Sequence, residues 1–322
     1  MGWRSVLIAS PAALTLEDRA LAIAQGGKAA RVMLEDISVV VLDHAQISLT
    51  APLLAACAEA RIAVLTVNTS HLPNGVLIPY LSHSRALKVM TAQLEMSRPE
   101  KKRLWQRVVR YKIANQAAVL ERASTADADP DARHLRHLAR SVRSGDPDNY
   151  EAQAAQVYFR RLFNVQFNRS QKRFHNAALN YGYAVVRAAI ARTLAAHGFL
   201  PAFGLFHHSE QNAFNLADDL MEPYRPLVDA GILAHYPEEP DRDLAPADKG
   251  RLVALLHKDV TLSSHTTDLG RGGSCTLLAA IDATVSGLSA IALQGAPHER
   301  LALPQLDAAW LSVITDRADQ RT

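Results

Sequence analysis

The chain has 322 residues, with 35 basic and 32 acidic side chains, a net charge of +3 and 48% hydrophobic residues. This composition excludes intrinsic disorder of the whole chain, because enough apolar surface is present to offset chain entropy. The two cysteines, Cys57 and Cys275, are too few for a disulfide framework and indicate a reducing, cytoplasmic compartment. No apolar run reaches the ~20 residues of a membrane span. A net charge of +3 by itself suggests no class of partner.

Short segments up to residue 80 predict a small β-rich N-terminal domain that contains one helix. Strands are expected at 5–8, 30–34, 37–42 and 61–67, where short apolar runs are separated by turn pairs such as Gly26-Gly27. Thr50 is a suitable N-cap for a helix over 50–60. The Pro73-Asn74-Gly75 run predicts a turn, and the domain is expected to end at residue 80.

From residue 85 onward, apolar residues recur at helical spacing, as at Leu104, Val108 and Tyr111. Further helices are expected at 131–144, 151–163, 171–196, 211–228, 252–256 and 276–293. Pro223 and Pro226 should kink or end the helix at 211–228. The predicted fold class is therefore α+β: a β-rich domain over 1–80, a linker over 81–87 and an all-α C-terminal domain over 88–322.

Basic side chains gather in three segments of the C-terminal domain. Seven lie between residues 98 and 112 against one acidic residue, a second group over 133–143 recurs every three or four positions, and a third lies at 160–173. Any one group can be explained as a solvated helix face, but three groups in a nearly neutral chain favour a polyanion with a phosphate backbone. The candidate DNA-binding residues are Arg85, Lys88, Arg107, Arg110, Arg136, Arg140, Arg169 and Lys172.

Acidic and histidine side chains form a second candidate cluster. Glu151 opens a predicted helix, and its spacing from Asp148 is that of a capping box, so helix capping alone would explain it. His207 and His208 follow an apolar, turn-rich stretch. One packed ring and one solvated ring would explain the two histidines without any ligand.

Asp219 and Glu222 are three positions apart and share a helix face, and Glu222 could simply pair with Arg225 at the surface. Spacing alone does not show that Glu151 meets Glu222. If they meet beside a neutral imidazole, the set suits Mg²⁺ or Mn²⁺, with open positions for water and phosphate oxygens. Zinc is disfavoured because no cysteine lies near.

Five sequence runs stand out together: LEDI at 34–37, KIANQA at 112–117, GDPDNYE at 145–151, NAALNYGY at 176–183 and DLMEPYRP at 219–226. They resemble the CRISPR-associated protein 1 family, the integrase of CRISPR spacer acquisition. The runs at 179–183 and 219–226 are highly specific, and the run at 112–116 is similar to the branch that accompanies type II systems. The resemblance covers residues 3–230, and the remainder matches only loosely.

Glu151, His207 and Glu222 fall where that family carries its metal ligands, so the resemblance implies that they hold Mg²⁺ or Mn²⁺. His208 stays open as an alternative ligand. Asp219 would contact the ligands without binding the metal itself. The implied activity is that of a metal-dependent DNA endonuclease and integrase. It would join prespacer 3′-OH ends to the CRISPR repeat by transesterification.

The resemblance also implies a set of partners. These are double-stranded DNA (prespacer and CRISPR repeat), a second copy of the chain in a homodimer, CRISPR-associated protein 2 and, as a further partner, the effector nuclease of type II systems. The N-terminal domain would serve dimerisation and partner contact. Three other functions stay open: a structure-specific DNA nuclease without integration, a non-catalytic DNA-binding scaffold, and a general α-helical interaction protein with solvated basic faces.

Overall fold

The computed structural model describes residues 4–69, 71, 73–79, 84–123, 129–163, 171–263 and 273–306. Over these residues a β-rich N-terminal region precedes a mostly helical C-terminal part, so the predicted α+β class is confirmed in outline. The candidate residue Arg169 and residues 81–83 of the predicted linker lie outside the described residues.

Two four-stranded sheets build the N-terminal region. The elements are β1 (Arg4–Ile8), β2 (Ala12–Glu17), β3 (Ala20–Gln25), β4 (Lys28–Met33), β5 (Ile37–Leu42), β6 (Ile47–Leu49), α1 (Ala51–Glu59), β7 (Ala63–Val67) and β8 (Pro73–Leu77). The first sheet has the order β4-β3-β2-β6 and the second the order β1-β5-β7-β8. In the second sheet β1, β5 and β7 run parallel, and β8 is antiparallel to β7.

Strand β5 is buried along its whole length because it lies between two cores. Val40 and Leu42 belong to a core with Leu53 of α1, whereas Val39 and Val41 belong to the larger core of the helical part. Successive side chains of a strand point to opposite faces, so a strand with both faces covered is apolar throughout. The second sheet is therefore a layer between the first sheet with α1 and the C-terminal helices.

The Pro73-Asn74-Gly75 run does not form the predicted turn. It lies in β8, an edge strand, where proline is tolerated because one side of the strand needs no N–H donor. A Cβ atom at Gly75 would meet Thr66 Oγ1 at 2.5 Å, so glycine permits the close approach of β7 and β8. The sequence pattern does not predict β2 and β3, because their many alanines blur the alternation of polar and apolar residues.

Nine helices follow within the described part of the chain. They are α2 (Ala86–Glu95), α3 (Arg98–Ala123), α4 (Pro130–Ser141), α5 (Tyr150–Leu162), α6 (Phe174–Ala196), α7 (Asn215–Met221), α8 (Arg225–His235), α9 (Pro246–Ala254) and α10 (Leu277–Gln294). Helix α3 packs on α4, α5 and α8, and α6 packs on α7, α8, α9 and α10. The predicted break at Pro223 is confirmed: a 3-10 turn, Glu222–Tyr224, separates α7 from α8. Pro226 instead lies in the first turn of α8, which continues to His235.

The prediction of an all-α C-terminal domain is wrong in one detail. Three short strands, β9 (Asp259–Leu262), β10 (Ser274–Thr276) and β11 (Pro304–Gln305), form a sheet in the order β10-β9-β11. In β9, Val260 and Leu262 are buried while Asp259 and Thr261 are not, which is the alternation expected of a half-buried strand. Four residues are too short a window for that period to stand out in the sequence.

Helix α10 alone among the described helices is long and apolar enough to cross a membrane, with a mean hydropathy of 1.5 over 18 residues. Its buried residues Leu277, Ile281, Val285 and Leu288 pack in the core of the C-terminal part. A buried core helix passes the same test of length and composition, so α10 gives no support to a membrane span.

Candidate active site

The start of α5 positions Glu151. The carboxylate of Asp146 accepts hydrogen bonds from the backbone N–H groups of the first two residues of α5, at 2.9 and 3.0 Å. Asp148, the residue predicted to form a capping box, instead pairs with Arg143 at 2.8 Å. The capping interpretation of Glu151 is therefore wrong, because Asp146 satisfies the helix start and the Glu151 carboxylate is directed elsewhere.

Glu151 and Glu222 come together on one buried ammonium group. Lys112 Nζ, on α3, lies 2.5 Å from Glu151 Oε1 and 2.5 Å from Glu222 Oε2. Arg225 Nε donates to Glu222 Oε1 at 2.9 Å. The surface pairing of Glu222 with Arg225 that the sequence left open therefore exists, but the Glu222 side chain is only 5% exposed.

Charge neighbours decide the ionisation of this cluster. Burial alone raises the pKa of Glu222, but the charges of Arg225 and Lys112 outweigh burial and hold that pKa at about 2. Burial lowers the pKa of Lys112, and the charges of Glu222 and Glu151 outweigh it and raise the pKa. Both groups are therefore charged at neutral pH.

One oxygen of this cluster lacks a directed hydrogen bond. Glu222 Oε2 is buried and has no hydrogen-bond partner, although Lys112 Nζ is only 2.5 Å away. The ammonium of Lys112 is therefore the group that balances the charge of this oxygen, and its loss without a replacement cation would leave a buried charge unpaired.

Asp219 orients His207. The Asp219 carboxylate is fully buried and accepts a hydrogen bond from His207 Nδ1 at 2.7 Å. It also accepts from the backbone N–H groups of Leu205, Phe206 and His207, at 2.5, 3.0 and 3.1 Å. Carboxylates that bind one ring nitrogen of a histidine fix the ring and leave the other nitrogen for a ligand.

Gly204 lets this loop close over Asp219. A Cβ atom there would lie 2.6 Å from Asp219 Oδ2 and would collide with the carbonyl oxygen of His207. The hydrogen bond to Asp219 raises the pKa of His207; burial opposes the rise, and the nearby carboxylates of Glu222 and Glu151 add to it. His207 therefore shares one electrostatic site with both carboxylates.

His208 does not share the contact of His207 with Asp219. Its Nδ1 atom faces the carbonyl oxygen of Phe206 at 2.9 Å, and its ring is exposed. Over the described ranges, no group of three or more His, Cys, Asp or Glu side chains is close enough to hold a metal ion. The ammonium of Lys112 lies between the carboxylates of Glu151 and Glu222, in the place that a metal ion bound by both would take.

The donor set nevertheless fits a hard divalent cation. Glu151 and Glu222 offer carboxylate oxygens, one of them without a hydrogen bond, and His207 offers a held imidazole. Oxygen-rich sets with one imidazole are typical of Mg²⁺ and Mn²⁺ sites rather than of zinc sites. The fit requires that Lys112 give up its present position.

A cavity of about 200 Å³ adjoins the two carboxylates. It is lined by Lys112, Gln116, Glu151, Phe159, Tyr183, Glu222, Arg225 and Asp229. Gln116 Oε1 is buried there without a hydrogen-bond partner. The sequence pattern places Lys112 among surface charges and does not single out Gln116; the signal that could have found them is the run at 112–117.

Several of the predicted DNA-binding arginines are engaged within the protein. Arg107 donates to the carbonyl of Leu301 at 2.9 Å and to Ser263 Oγ at 3.1 Å, and Arg110 donates to the carbonyl of Val142 at 2.9 Å. These two side chains hold α3 to neighbouring segments, so the sequence alone overstates their availability to a ligand.

The basic face predicted over 133–143 is shorter than expected. Helix α4 ends at Ser141, so Arg143 lies beyond it. Arg136 forms two hydrogen bonds with Glu121, both of 2.5 Å. The remaining candidates within the described residues are exposed: Arg85, Lys88, Arg140 and Lys172.

Comparison with known proteins identifies the family. The family model described as CRISPR associated protein Cas1 matches residues 6–239. The chain belongs to the Cas1 family. The CRISPR-associated endonuclease Cas1 of Neisseria meningitidis serogroup C (strain 8013) is 45% identical over 291 residues, which cover 90% of this chain and 92% of the relative. The family resemblance expected from the sequence is therefore confirmed.

Solved structures share the Cas1 fold. A casposase bound to an integration product matches 91% of this chain and 91% of its own length, with a TM-score of 0.73 and 17% identity. A chain of a Cas6-RT-Cas1–Cas2 complex matches 92% of this chain over 36% of its own length, with a TM-score of 0.69 and 18% identity. At these identities the likeness supports the fold alone.

Proposed function

We propose that this Cas1 protein is a metal-dependent DNA integrase of CRISPR adaptation, which joins the 3′-OH ends of a prespacer to the CRISPR repeat by transesterification. One observation carries the proposal. Glu151 and Glu222, which are far apart in sequence, converge on one buried cation, and Asp219 holds His207 beside them. The Neisseria relative is named an endonuclease, and the casposase holds an integration product, which supports this chemistry.

Glu151, Glu222 and the second ring nitrogen of His207 would hold Mg²⁺ or Mn²⁺. When bound, the ion would polarise the phosphodiester, orient the attacking 3′-OH and offset charge on the departing oxygen. Asp219 keeps the His207 ring in the orientation that leaves Nε2 for a ligand. Arg225 stays on Glu222 Oε1 and keeps that carboxylate ionised.

The exposed basic side chains Arg85, Lys88, Arg140 and Lys172 would hold the phosphate backbone of the prespacer and the repeat. Contacts with the phosphate backbone do not distinguish one base from another, so bent or splayed DNA would be selected by its shape. Arg136 can join them only by giving up its pair with Glu121.

The assembly we propose is a homodimer that binds CRISPR-associated protein 2 in the cytoplasm, with the type II effector nuclease as a further partner. The similar fold in the solved Cas6-RT-Cas1–Cas2 complex supports this assembly. Residues 1–80 would form the domain for dimerisation and partner contact, residues 81–87 the linker, and residues 88–322 the catalytic domain.

The test uses a fluorescent prespacer, a repeat-containing duplex and Mn²⁺. We expect Glu151→Gln and Glu222→Gln to abolish the joined strand while duplex binding stays within about twofold, because an ionised ligand is lost without loss of volume. Glu17→Gln, at an exposed acidic residue of β2, is the control and should integrate normally.

The product gel separates the rival functions. Integration gives a longer, joined strand, whereas a structure-specific nuclease gives shorter strands only. Normal joining by either glutamine variant would contradict the assigned site. A wild-type protein that binds duplex but yields neither product would favour a non-catalytic scaffold.

A further inference from the structure

The position of Lys112 suggests a role that the proposed reaction does not assign to it. Its ammonium lies 2.5 Å from one oxygen of Glu151 and 2.5 Å from one oxygen of Glu222, and its side chain is 8% exposed. The place between two convergent carboxylates is the place that a bridging cation takes. Lys112 therefore occupies the region that the proposed site would give to a metal.

We propose that Lys112 is an exchangeable internal counter-ion. On binding of a divalent ion the ammonium leaves Glu151 and Glu222 for the adjoining cavity, so Lys112 sets the metal affinity of the site. This inference rests on the proposed function, because it assumes that these carboxylates are metal ligands.

The two cations cannot share the present geometry. A magnesium ion would lie about 2.1 Å from a carboxylate oxygen. With Lys112 Nζ 2.5 Å from the same oxygens, the ion and the ammonium would overlap. Their like charges would also repel strongly, because little water screens a site where Lys112 and Glu222 are both buried.

The cavity offers the released ammonium a place to go. Lys112 and Gln116 lie four positions apart on α3, so they are neighbours on one face of the helix. Gln116 Oε1 is buried without a partner and lines the same cavity of about 200 Å³. The flexible four-carbon stem of lysine allows the move without a change of backbone.

A second acidic group, Asp229, also favours movement of the Lys112 ammonium into the cavity. Asp229 lines it, and the hydroxyls of Tyr158 and Tyr183 donate to the Asp229 carboxylate at 2.9 and 2.5 Å. The cavity thus combines the unpartnered Gln116 acceptor with a carboxylate. Both features stabilise a displaced ammonium.

The alternative is that Lys112 forms a permanent structural ion pair. The chain contains one for comparison: Lys249 Nζ lies 2.6 Å from Asp43 Oδ2, and both side chains are buried. Lys249 thus provides a matched control, because it is also a buried lysine on a carboxylate but lies outside the candidate site.

The experiment measures Mn²⁺ binding by calorimetry without DNA, and unfolding by urea with EDTA or with saturating Mn²⁺. We expect Lys112→Met to bind Mn²⁺ at least about tenfold more tightly than the wild type. It should be less stable than the wild type in EDTA, and the deficit should vanish in saturating Mn²⁺. Lys249→Met should lose stability in both conditions and keep its Mn²⁺ affinity within about twofold.

The variant Gln116→Leu tests whether Gln116 accepts a hydrogen bond from the displaced Lys112 ammonium. We expect it to bind Mn²⁺ about threefold more weakly, because the displaced ammonium loses its acceptor. An unchanged affinity would overturn Gln116 as that acceptor.

The outcomes for the two proposals differ. Suppose that the wild type binds Mn²⁺ but Lys112→Met binds it no more tightly, or that the stability deficit of Lys112→Met persists in Mn²⁺. Either result would overturn the exchange of Lys112 and leave the proposed metal site in place. Folded wild type and Lys112→Met that both fail to bind Mn²⁺ would overturn both proposals.

Discussion

Within the described part of the chain, two buried lysines pair with carboxylates, and the two arrangements differ. Lys249 of α9 pairs with Asp43, which follows β5, and Asp43 also bonds His71 Nδ1 at 2.7 Å. Lys112 is shared between Glu151 and Glu222, and the oxygen of Glu222 that it faces has no directed hydrogen bond. Asp43 thus has one lysine to itself, whereas Glu151 and Glu222 share one.

The difference separates a structural contact from a reactive one. The Lys249–Asp43 pair ties the N-terminal region to the helices, and the Lys249 ammonium also lies over the ring of Tyr181 of α6, at 5.9 Å. The Lys112 cluster adjoins a cavity, and one ammonium there is shared by two carboxylates. Sites that keep imperfectly satisfied buried charge are the ones where function competes with stability.

Removing the partnered carboxylate should have the largest effect on stability. We expect Asp43→Leu to lower the free energy of unfolding by about 3–5 kcal/mol, because it leaves the Lys249 ammonium buried and unpaired. Urea unfolding measures the loss, with His71→Ala as the milder control, since His71 is 55% exposed. A loss below about 1 kcal/mol, the range of exposed ion pairs, would contradict the structural role of this pair.

Removing the carboxylate that supports His207 should act on ligand affinity instead. We expect Asp219→Asn to weaken Mn²⁺ binding by about 10–100-fold, because the His207 ring loses the group that orients it. Calorimetry measures the change. Asp218→Asn is the neighbouring control: Asp218 pairs with Arg187 at 2.7 Å and should leave Mn²⁺ affinity unaltered. Equal effects of the two variants would remove Asp219 from its assigned role.

A smaller effect is expected where only the loop over Asp219 is crowded. Gly204→Ala should cost about 1–3 kcal/mol in unfolding, since its Cβ atom would press on Asp219 Oδ2 and the His207 carbonyl. Gly273→Ala is the control, because a Cβ atom at Gly273 meets nothing within 4 Å. If both variants unfold at the same urea concentration, the loop is looser than its packing indicates.

The surface charges should give the smallest effect of all. We expect Arg136→Ala with Arg140→Ala to weaken duplex binding and to reduce the slope of log affinity against log salt by about 0.9 for each phosphate that is no longer neutralised. Because Arg136 is paired with Glu121, Arg140→Ala alone should account for most of the change. An unchanged slope would exclude this part of α4 from the DNA surface.

The sequence is informative where a pattern extends over many residues. The long helices α3 and α6 follow from their periodicity, and the break after α7 follows from Pro223. The meeting of Glu151 with Glu222 follows from the family resemblance and not from their spacing. Strand β9 is not predictable in this way, because its alternation covers only four residues.

Other features depend on the tertiary structure. The sequence places Lys112 among the surface charges, since a lysine at a helical position is usually solvated and only packing reveals its burial. The capping role falls to Asp146 rather than Asp148 because the turn before α5 directs the Asp146 carboxylate onto the helix start. Neither outcome follows from spacing.

Strand β5 has a consequence for the cooperativity of the whole chain. Val39 and Val41 pack in the core of the helical part, while Val40 and Leu42 pack in the core between the sheets and α1. If this strand detaches, apolar surface is exposed on both sides at once, so neither core can open without weakening the other. The N-terminal sheets and the C-terminal helices are thereby coupled into one unfolding unit. A substitution that destabilises either region therefore lowers the stability of both.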